Sequence, residues 1–267
     1  MKVSGQKGLK AERTCGDRML KTLGIVQACF RTPLARSRAA RKLGGKPVLE
    51  WIVRRATDCQ KLSGVIVATC DDPANEFVSR LVPLDVPVLL GKKQDALGCF
   101  AAALEAYPAD AAVRIGADCP FIDPMLIDRL VTAADAHPDC DYVGYCSRDG
   151  RPAVLSPVGV YAEWVRTSAV FRAAQKARLP ADRGSVTRYI YSHPEKFRVC
   201  LIPAPEQIDR DDVRLTVDIE EDWDHALTIF EALGPEGLDW PRIASLLDHQ
   251  PALRQRMAAL NRDRAGA

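Results

Sequence analysis

Four segments hold the residues best suited to chemistry. The first is a one-sided basic stretch: from Arg18 to Leu49 there are eight Lys or Arg and no Asp or Glu, while the rest of the chain mixes both signs. The other three end on carboxylates: Asp71-Asp72 after "GVIVAT", Asp118 within "RIGADCPFID", and Asp218 within "RLTVDIEEDW". Each follows an apolar run that reads as a β-strand, and open parallel sheets bind ligands beyond the carboxyl ends of their strands. Arginines and lysines there would neutralise phosphate oxygens, and hard carboxylates would hold Mg²⁺ bridging to the same phosphates. The competing reading is plainer: a basic loop is a solvated surface, Asp before Pro is a turn, and Glu220 to Asp222 complement a helix dipole.

Two familiar phosphate loops are excluded. Pro47 follows Lys46, and Ala40 stands where a Walker-type loop begins with Gly; Gly-x-Gly-x-x-Gly is absent after the first strand. Asp139-Cys140-Asp141 matches the Asp-x-Asp metal motif of many glycosyltransferases, but it leads into a strand instead of ending one.

The elements that must position these groups alternate. Strands are expected at Leu23–Ala28, Gly64–Thr69, Val86–Leu90, Ala111–Ile115 and Asp141–Cys146. Helices are expected at Val48–Cys59, from Pro73 to about Leu81, and at Asp95–Tyr107 and Pro124–Ala136. The basic stretch after Ala28 reads as loop. This rhythm means βαβ units and an α/β fold, a mostly parallel twisted sheet with helices on both faces in three layers. After Gly150 the pattern predicts strand at Ala153–Tyr161, helix at Ala162–Ala177, a polar link at Leu179–Ser185 and a further short helix. Strands at Phe197–Pro203 and Arg214–Val217 follow, then helices at Glu220–Leu233, Trp240–Leu247 and Pro251–Asn261.

The 267 residues carry a net charge of +2, so no global field draws the chain to nucleic acid. No apolar run approaches the roughly 20 residues that span a bilayer. Residues 1–22 are polar and basic without an apolar core, and read as a disordered tail or an over-long gene start with Met19 as the alternative. Residues 23–250 then form a single domain, and 251–267 a C-terminal helix and tail. None of the nine cysteines fits Cys-x-x-Cys and there are only four His, which argues against zinc. An odd count without a secretory signal points to reduced thiols in the cytoplasm, most of them small core residues.

Six blocks in order, "GIVQA…LGGKPVLEW", "VIVATCDDP", "DALG", "VRIGADCPFIDP", "YIYSHPEKFR" and "RLTVDIEEDW", resemble the cytidylyltransferase family of nucleotide-sugar synthesis. The likeness is closest to the branch of spore-coat polysaccharide biosynthesis protein F and covers about Leu23 to Leu247. It implies a nucleotide-diphospho-sugar transferase fold, and a reaction of CTP with a sugar or sugar acid giving a CMP-sugar and pyrophosphate with Mg²⁺. By the same resemblance Gln27, Ala28, Cys29, Arg38, Lys46, Asp71 and Asp118 bind nucleotide. Asp118 and Asp218 hold metal, and Arg38, Asp118 and Asp218 are catalytic. A homodimer is a further family-level expectation.

The chain departs from the family pattern at several places. Cys29 and Cys99 replace arginines, Leu34 falls where a second loop arginine belongs, and Ser37-Arg38 stand for a Gly-Lys pair. The substrate strand reads Pro157-Val158-Gly159-Val160-Tyr161, and Arg183-Gly184-Ser185-Val186-Thr187 stands where the family has Arg-Glu-His-Val-Thr. Arg31, Arg36 and Arg41 have no family counterpart. Three readings therefore stay open: a working nucleotidyltransferase with an altered sugar pocket, a non-catalytic relative that binds a nucleotide or a protein, and a metal-dependent glycosyltransferase of similar fold.

Overall fold

Parallel strands that are covered on both faces read as continuous apolar runs, and the centre of this sheet is built from three of them. The structure, a computed structural model, describes residues 21–30, 32–91 and 95–265. Most of the expected tail lies outside these residues. The core begins one residue earlier than expected, because Thr22 opens the first strand and the Lys21 N–H donates to Asp110 Oδ2 at 2.9 Å.

In chain order the elements are β1 (Thr22–Gln27), α1 (Pro33–Ala40), β2 (Lys42–Leu43), β3 (Lys46–Pro47), α2 (Val48–Thr57), β4 (Val65–Cys70), α3 (Val78–Leu81), β5 (Val88–Gly91), α4 (Ala96–Ala106) and β6 (Ala111–Gly116). There follow α5 (Pro124–Ala136), β7 (Tyr142–Cys146), β8 (Glu163–Arg166), α6 (Thr167–Lys176), α7 (Pro180–Arg183), α8 (Arg188–Tyr191), β9 (Val199–Pro203), α9 (Glu220–Leu233), α10 (Trp240–Asp248) and α11 (Pro251–Ala265). Seven strands form one sheet in the order β5-β4-β1-β6-β8-β7-β9. All neighbours are parallel except β8, which runs antiparallel between β6 and β7.

Side chains alternate across the sheet and feed two cores. Val26, Val113 and Ile115 face the layer of α2, α5, α9 and α10; Ile25, Ile66 and Ala112 face α4, α6 and α8. This is the three-layer arrangement. Leu97, Phe100 and Leu104 on α4 are all but inaccessible, and each contributes roughly 1.5–3 kcal/mol by leaving water.

Four local expectations are corrected. The basic stretch is not all loop: Thr32 caps Ala35 N–H at 3.1 Å, Pro33 takes the first helical position, and α1 forms. It shows no apolar face because only Ala39 is buried. Residues 153–161 make a single 3-10 turn at Ala153–Leu155 and then irregular chain instead of a strand. The strand comes later as β8, inside the span expected to be helix. Residues 214–217 are extended but join no ladder; Leu215 N–H donates to Pro157 O and Val217 N–H to Asp118 O, each at 2.8 Å. That last bond ties two distant aspartates to one place.

Candidate active site

The C-terminal ends of β1 and β6, the last turn of α1 and the 217–218 segment surround a cavity of about 240 Å³. Its polar lining includes Gln27, Cys29, Arg38, Arg114, Asp118 and Asp218. A second cavity of about 730 Å³ adjoins it, lined by residues 154–157, four arginines and, again, Asp118 and Asp218. The two carboxylates are thus the shared boundary.

Asp118 sits two residues beyond β6. A Cβ on Gly116 would come within 2.4 Å of Asp118 Oδ1, so the carboxylate occupies space that only glycine leaves. Asp218 is positioned from behind by Asp222 in the first turn of α9. Asp222 Oδ2 accepts the N–H groups of Asp218 and Ile219 at 2.8 and 3.0 Å. Its two oxygens also take Arg214 Nε at 2.5 Å and Nη2 at 2.9 Å, a bidentate pair sealed from water on both sides. Thr216 Oγ1 donates to Asp218 Oδ2 at 3.0 Å. Burial, and next the charge of Asp118, push the Asp218 carboxyl above its ordinary value. Two carboxylates that share a cavity boundary offer the hard oxygen donors that a divalent cation such as Mg²⁺ takes, so their chemistry fits such an ion.

Arg38 projects from the last turn of α1, and its Nε is buried without a hydrogen-bond partner among the described residues. A buried guanidinium nitrogen left open costs roughly 1–3 kcal/mol unless a ligand completes it. Arg114 forms the floor. Its Nε donates to Gln27 Oε1 at 2.8 Å and its Nη1 to Glu163 Oε2 at 2.9 Å. Glu163 is buried and also accepts from Tyr142 and Thr187 hydroxyls at 2.8 and 2.7 Å. Burial works against the charge of Arg114, but Glu163 and then Asp118 outweigh it and hold the guanidinium protonated.

The remaining sequence-expected residues fall elsewhere. Ala28 is buried, with its N–H on Ala68 O, and serves the sheet. Lys46 lies on β3 with Nζ 5.0 Å from the Trp51 ring, and Asp71 is exposed after β4; neither lines the cavity. Arg36 reaches Phe30 O, and Arg41 pairs with Glu220. The Asp139 and Asp141 carboxylates pair with Arg198 and Arg172 at the opposite, N-terminal end of β7, which removes the Asp-x-Asp reading. Sequence reasoning missed Arg114, Glu163, Arg214 and Asp222. The available signal was a charged residue inside an apolar run, as in "AAVRIG".

A central sheet of this order with carboxylates at its C-terminal edge is a nucleotide-binding architecture, and the comparisons sharpen it. The family described as Cytidylyltransferase matches residues 37–261, and the chain belongs to it; by class it is a nucleotidyltransferase. An uncharacterised protein of Methanocaldococcus jannaschii is 30% identical over 88% of this chain and 93% of its own length. Spore coat polysaccharide biosynthesis protein SpsF of Bacillus subtilis is 24% identical over 86% of this chain and 95% of its own. Among solved structures, a cytidylyltransferase from Leptospira borgpetersenii superposes with a TM-score of 0.75 at 19% identity, covering 88% of this chain and 96% of that one.

Proposed function

We propose that the protein transfers a cytidylyl group from CTP to a sugar, giving a CMP-sugar and pyrophosphate for surface polysaccharide synthesis. The observation that carries this is the unpartnered Nε of Arg38 in a cavity that ends on Asp118 and Asp218. On this reading the nucleotide fills the smaller cavity, with Arg38 on phosphate oxygens, and the sugar fills the larger. A sugar hydroxyl oxygen attacks the α-phosphorus in line, the bond to the β-phosphate oxygen breaks, and the hydroxyl proton leaves to solvent. Arg38 offsets charge that builds on the departing pyrophosphate, and Arg114 orients Gln27 at the floor. Asp118 and Asp218 would hold a divalent cation, Mg²⁺ in the cell, which when bound neutralises phosphate charge. The thiols stay reduced in the cytoplasm.

The larger cavity also bears on the acceptor. Three of its arginines are already paired: Arg151 with Asp149, Arg210 with Asp212 and Asp248, and Arg214 with Asp222. Paired cations make a poor carboxylate receptor, and the fourth, Arg262, is exposed to solvent, so the reading favours a neutral sugar over a sugar acid. A binding-only relative is the second reading, favoured by one observation: the cavity wall at position 29 is a thiol, not a cation.

Pyrophosphate release from CTP with a panel of neutral and acidic sugars, with and without Mg²⁺, tests the proposal. Turnover that needs metal and falls roughly 10²–10³-fold in Asp118→Asn, the scale for losing one preorganised group, is expected. Metal-dependent CTP binding by calorimetry with no turnover for any sugar would leave the binding-only reading. No CTP binding at all would remove both.

A further inference from the structure

Beside the smaller cavity, three thiols that are far apart in sequence meet. Cys29 follows β1 and Cys70 closes β4, two adjacent parallel strands with Gln27 opposite Ala68. Ala28 N–H to Ala68 O and Thr69 Oγ1 to Ala28 O, both 2.8 Å, carry that register past the end of β1, so residues 29 and 70 come level. Cys99 lies in the first turn of α4. Asp95 caps that turn through the Gly98 N–H at 2.7 Å and is itself gripped by Arg183 at 2.7 Å. The Sγ atoms of Cys70 and Cys99 are 3.4 Å apart, and all three lie within 4.8 Å of one another.

We propose that Cys29, Cys70 and Cys99 form a site for one thiophilic cation of the zinc class, with a fourth position open to the smaller cavity. Tetrahedral zinc at about 2.3 Å from each sulfur sets sulfurs about 3.8 Å apart. The Cys70–Cys99 spacing of 3.4 Å is close to that value and the others are at most 4.8 Å, so small side-chain torsions suffice to close the site. Cys70 and Cys99 are buried, while Cys29 is partly exposed and lines the cavity, which gives the ion its entry and its fourth ligand. Thiolate is the preferred donor for such an ion, unlike the carboxylate oxygens of Asp118 and Asp218, so the two sites select different metals.

In the metal-free state the thiols hydrogen-bond to one another. Bonds to Cys70 and Cys99, then burial, push Cys29 up; for Cys99 the bond to Cys29 acts oppositely, but Cys70 and burial prevail and push it up to about 12. Binding therefore releases protons from sulfur to solvent, and affinity rises with pH. The inference stands independently of the CTP reading.

The test uses the full-length, reduced and desalted protein titrated with Co²⁺, followed by displacement with Zn²⁺. Expected is a thiolate-to-cobalt charge-transfer band that saturates at one metal per chain and is erased by Zn²⁺. Cys70→Ser and Cys99→Ser should abolish it. Because those positions are buried, Cys29→Ser is the decisive variant: with the fold intact by circular dichroism, it should weaken binding roughly tenfold or more, at least the loss seen on removing an outer-shell partner. Cys140→Ser, beside Cys200 in a separate thiol pair, should change nothing. No thiolate band, a band that ignores Cys29→Ser, or equal loss in Cys140→Ser would overturn the site. So would a reduced protein that takes up no metal yet forms a Cys70–Cys99 disulfide on mild oxidation.

Discussion

The two cavities that meet at Asp118 and Asp218 treat charge in opposite ways. In the smaller, Arg38 keeps a buried nitrogen without a partner, and the cation is available to a ligand. In the larger, Arg210 is shared by Asp212 and Asp248, and Arg214 is locked to Asp222. There these two arginines are framework, not receptor. The smaller side leaves a buried arginine nitrogen open, and the larger commits Arg210 and Arg214 to carboxylates of the fold. On the proposed reading, the phosphate side needs charge and the sugar side needs a rigid wall.

The largest effect should come from breaking that wall. Asp222→Ala takes the bidentate partner from buried Arg214 and leaves it only the longer contact to Asp218 at 3.7 Å, a loss approaching the roughly 3–5 kcal/mol of a broken buried pair. It also strips the oxygen that accepts two N–H groups in the turn that carries Asp218. Chemical denaturation should show the full loss, and the double variant Arg214→Met/Asp222→Leu should recover much of it, because no lone charge stays buried. Recovery of stability without recovery of turnover would confirm that Asp222 positions Asp218. A small loss in the single variant would mean that the wall is not ionic in its energetics.

Second comes the open cation. Arg38→Ala should reduce kcat/KM for CTP by roughly 10²–10³-fold with little change in melting temperature, since Arg38 supports a ligand and not the fold. An Arg38→Ala protein that loses stability and keeps its turnover would invert the comparison.

How much of this contrast was legible beforehand differs between its parts. The parallel half was legible because each strand is a short apolar run closed by a turn signal. The bounds of α5 and α9 follow from Asp123-Pro124 at one start and Gly234, with φ of 68°, at the other end. β8 was not legible: Trp164 and Val165 run into α6 without a breaker, and an antiparallel strand inside a parallel sheet has no rhythm to betray it. Asp118 and Asp218 could be picked as candidates because each closes an apolar run that reads as a strand, although the run before Asp218 is chain outside any ladder. Their partners could not, because Arg114 and Glu163 are 49 residues apart and only the β6–β8 pairing brings them together. The three-thiol cluster was hidden for the same reason; spacing rules for zinc look along the chain, and this cluster joins two strand ends to the first turn of α4.

A smaller, pH-dependent effect follows from the back of the larger cavity. His225, one turn after Asp222 on α9, is buried with Nδ1 unpartnered among the described residues. Burial pushes it below its ordinary value of 6.5, against the opposing pull of Asp222. The folded state then binds the proton less well than the unfolded chain. The His225 contribution is therefore present above pH 6.5 and lost as pH falls through the unfolded value toward the depressed folded one. His225→Gln should flatten this acid limb of a stability-versus-pH curve. An unchanged limb would assign acid sensitivity to other groups.

The smallest effect is the most discriminating, because it contrasts two arginines on one turn. Arg41 ends α1 three residues after Arg38, yet it points out of the cavity, taking Glu220 with Nη1 at 2.8 Å and Nη2 at 2.5 Å. Its guanidinium carbon lies 4.8 Å from the Trp223 ring centre, which staples α1 to α9. An exposed ion pair is worth roughly 0.2–1 kcal/mol and is screened by salt, and an exposed cation–π contact adds about 0.5–1 kcal/mol. Arg41→Ala should therefore lower stability by about 1 kcal/mol, less at high ionic strength, and leave kcat/KM for CTP within about a factor of three. Measured beside Arg38→Ala, it separates the helix that carries the charge from the charge itself. If both variants lose turnover alike, α1 acts as a single basic surface and the division between an open and a committed arginine is wrong. If only Arg38→Ala does, the triphosphate is held by one preorganised group and the rest of the basic stretch is scaffold.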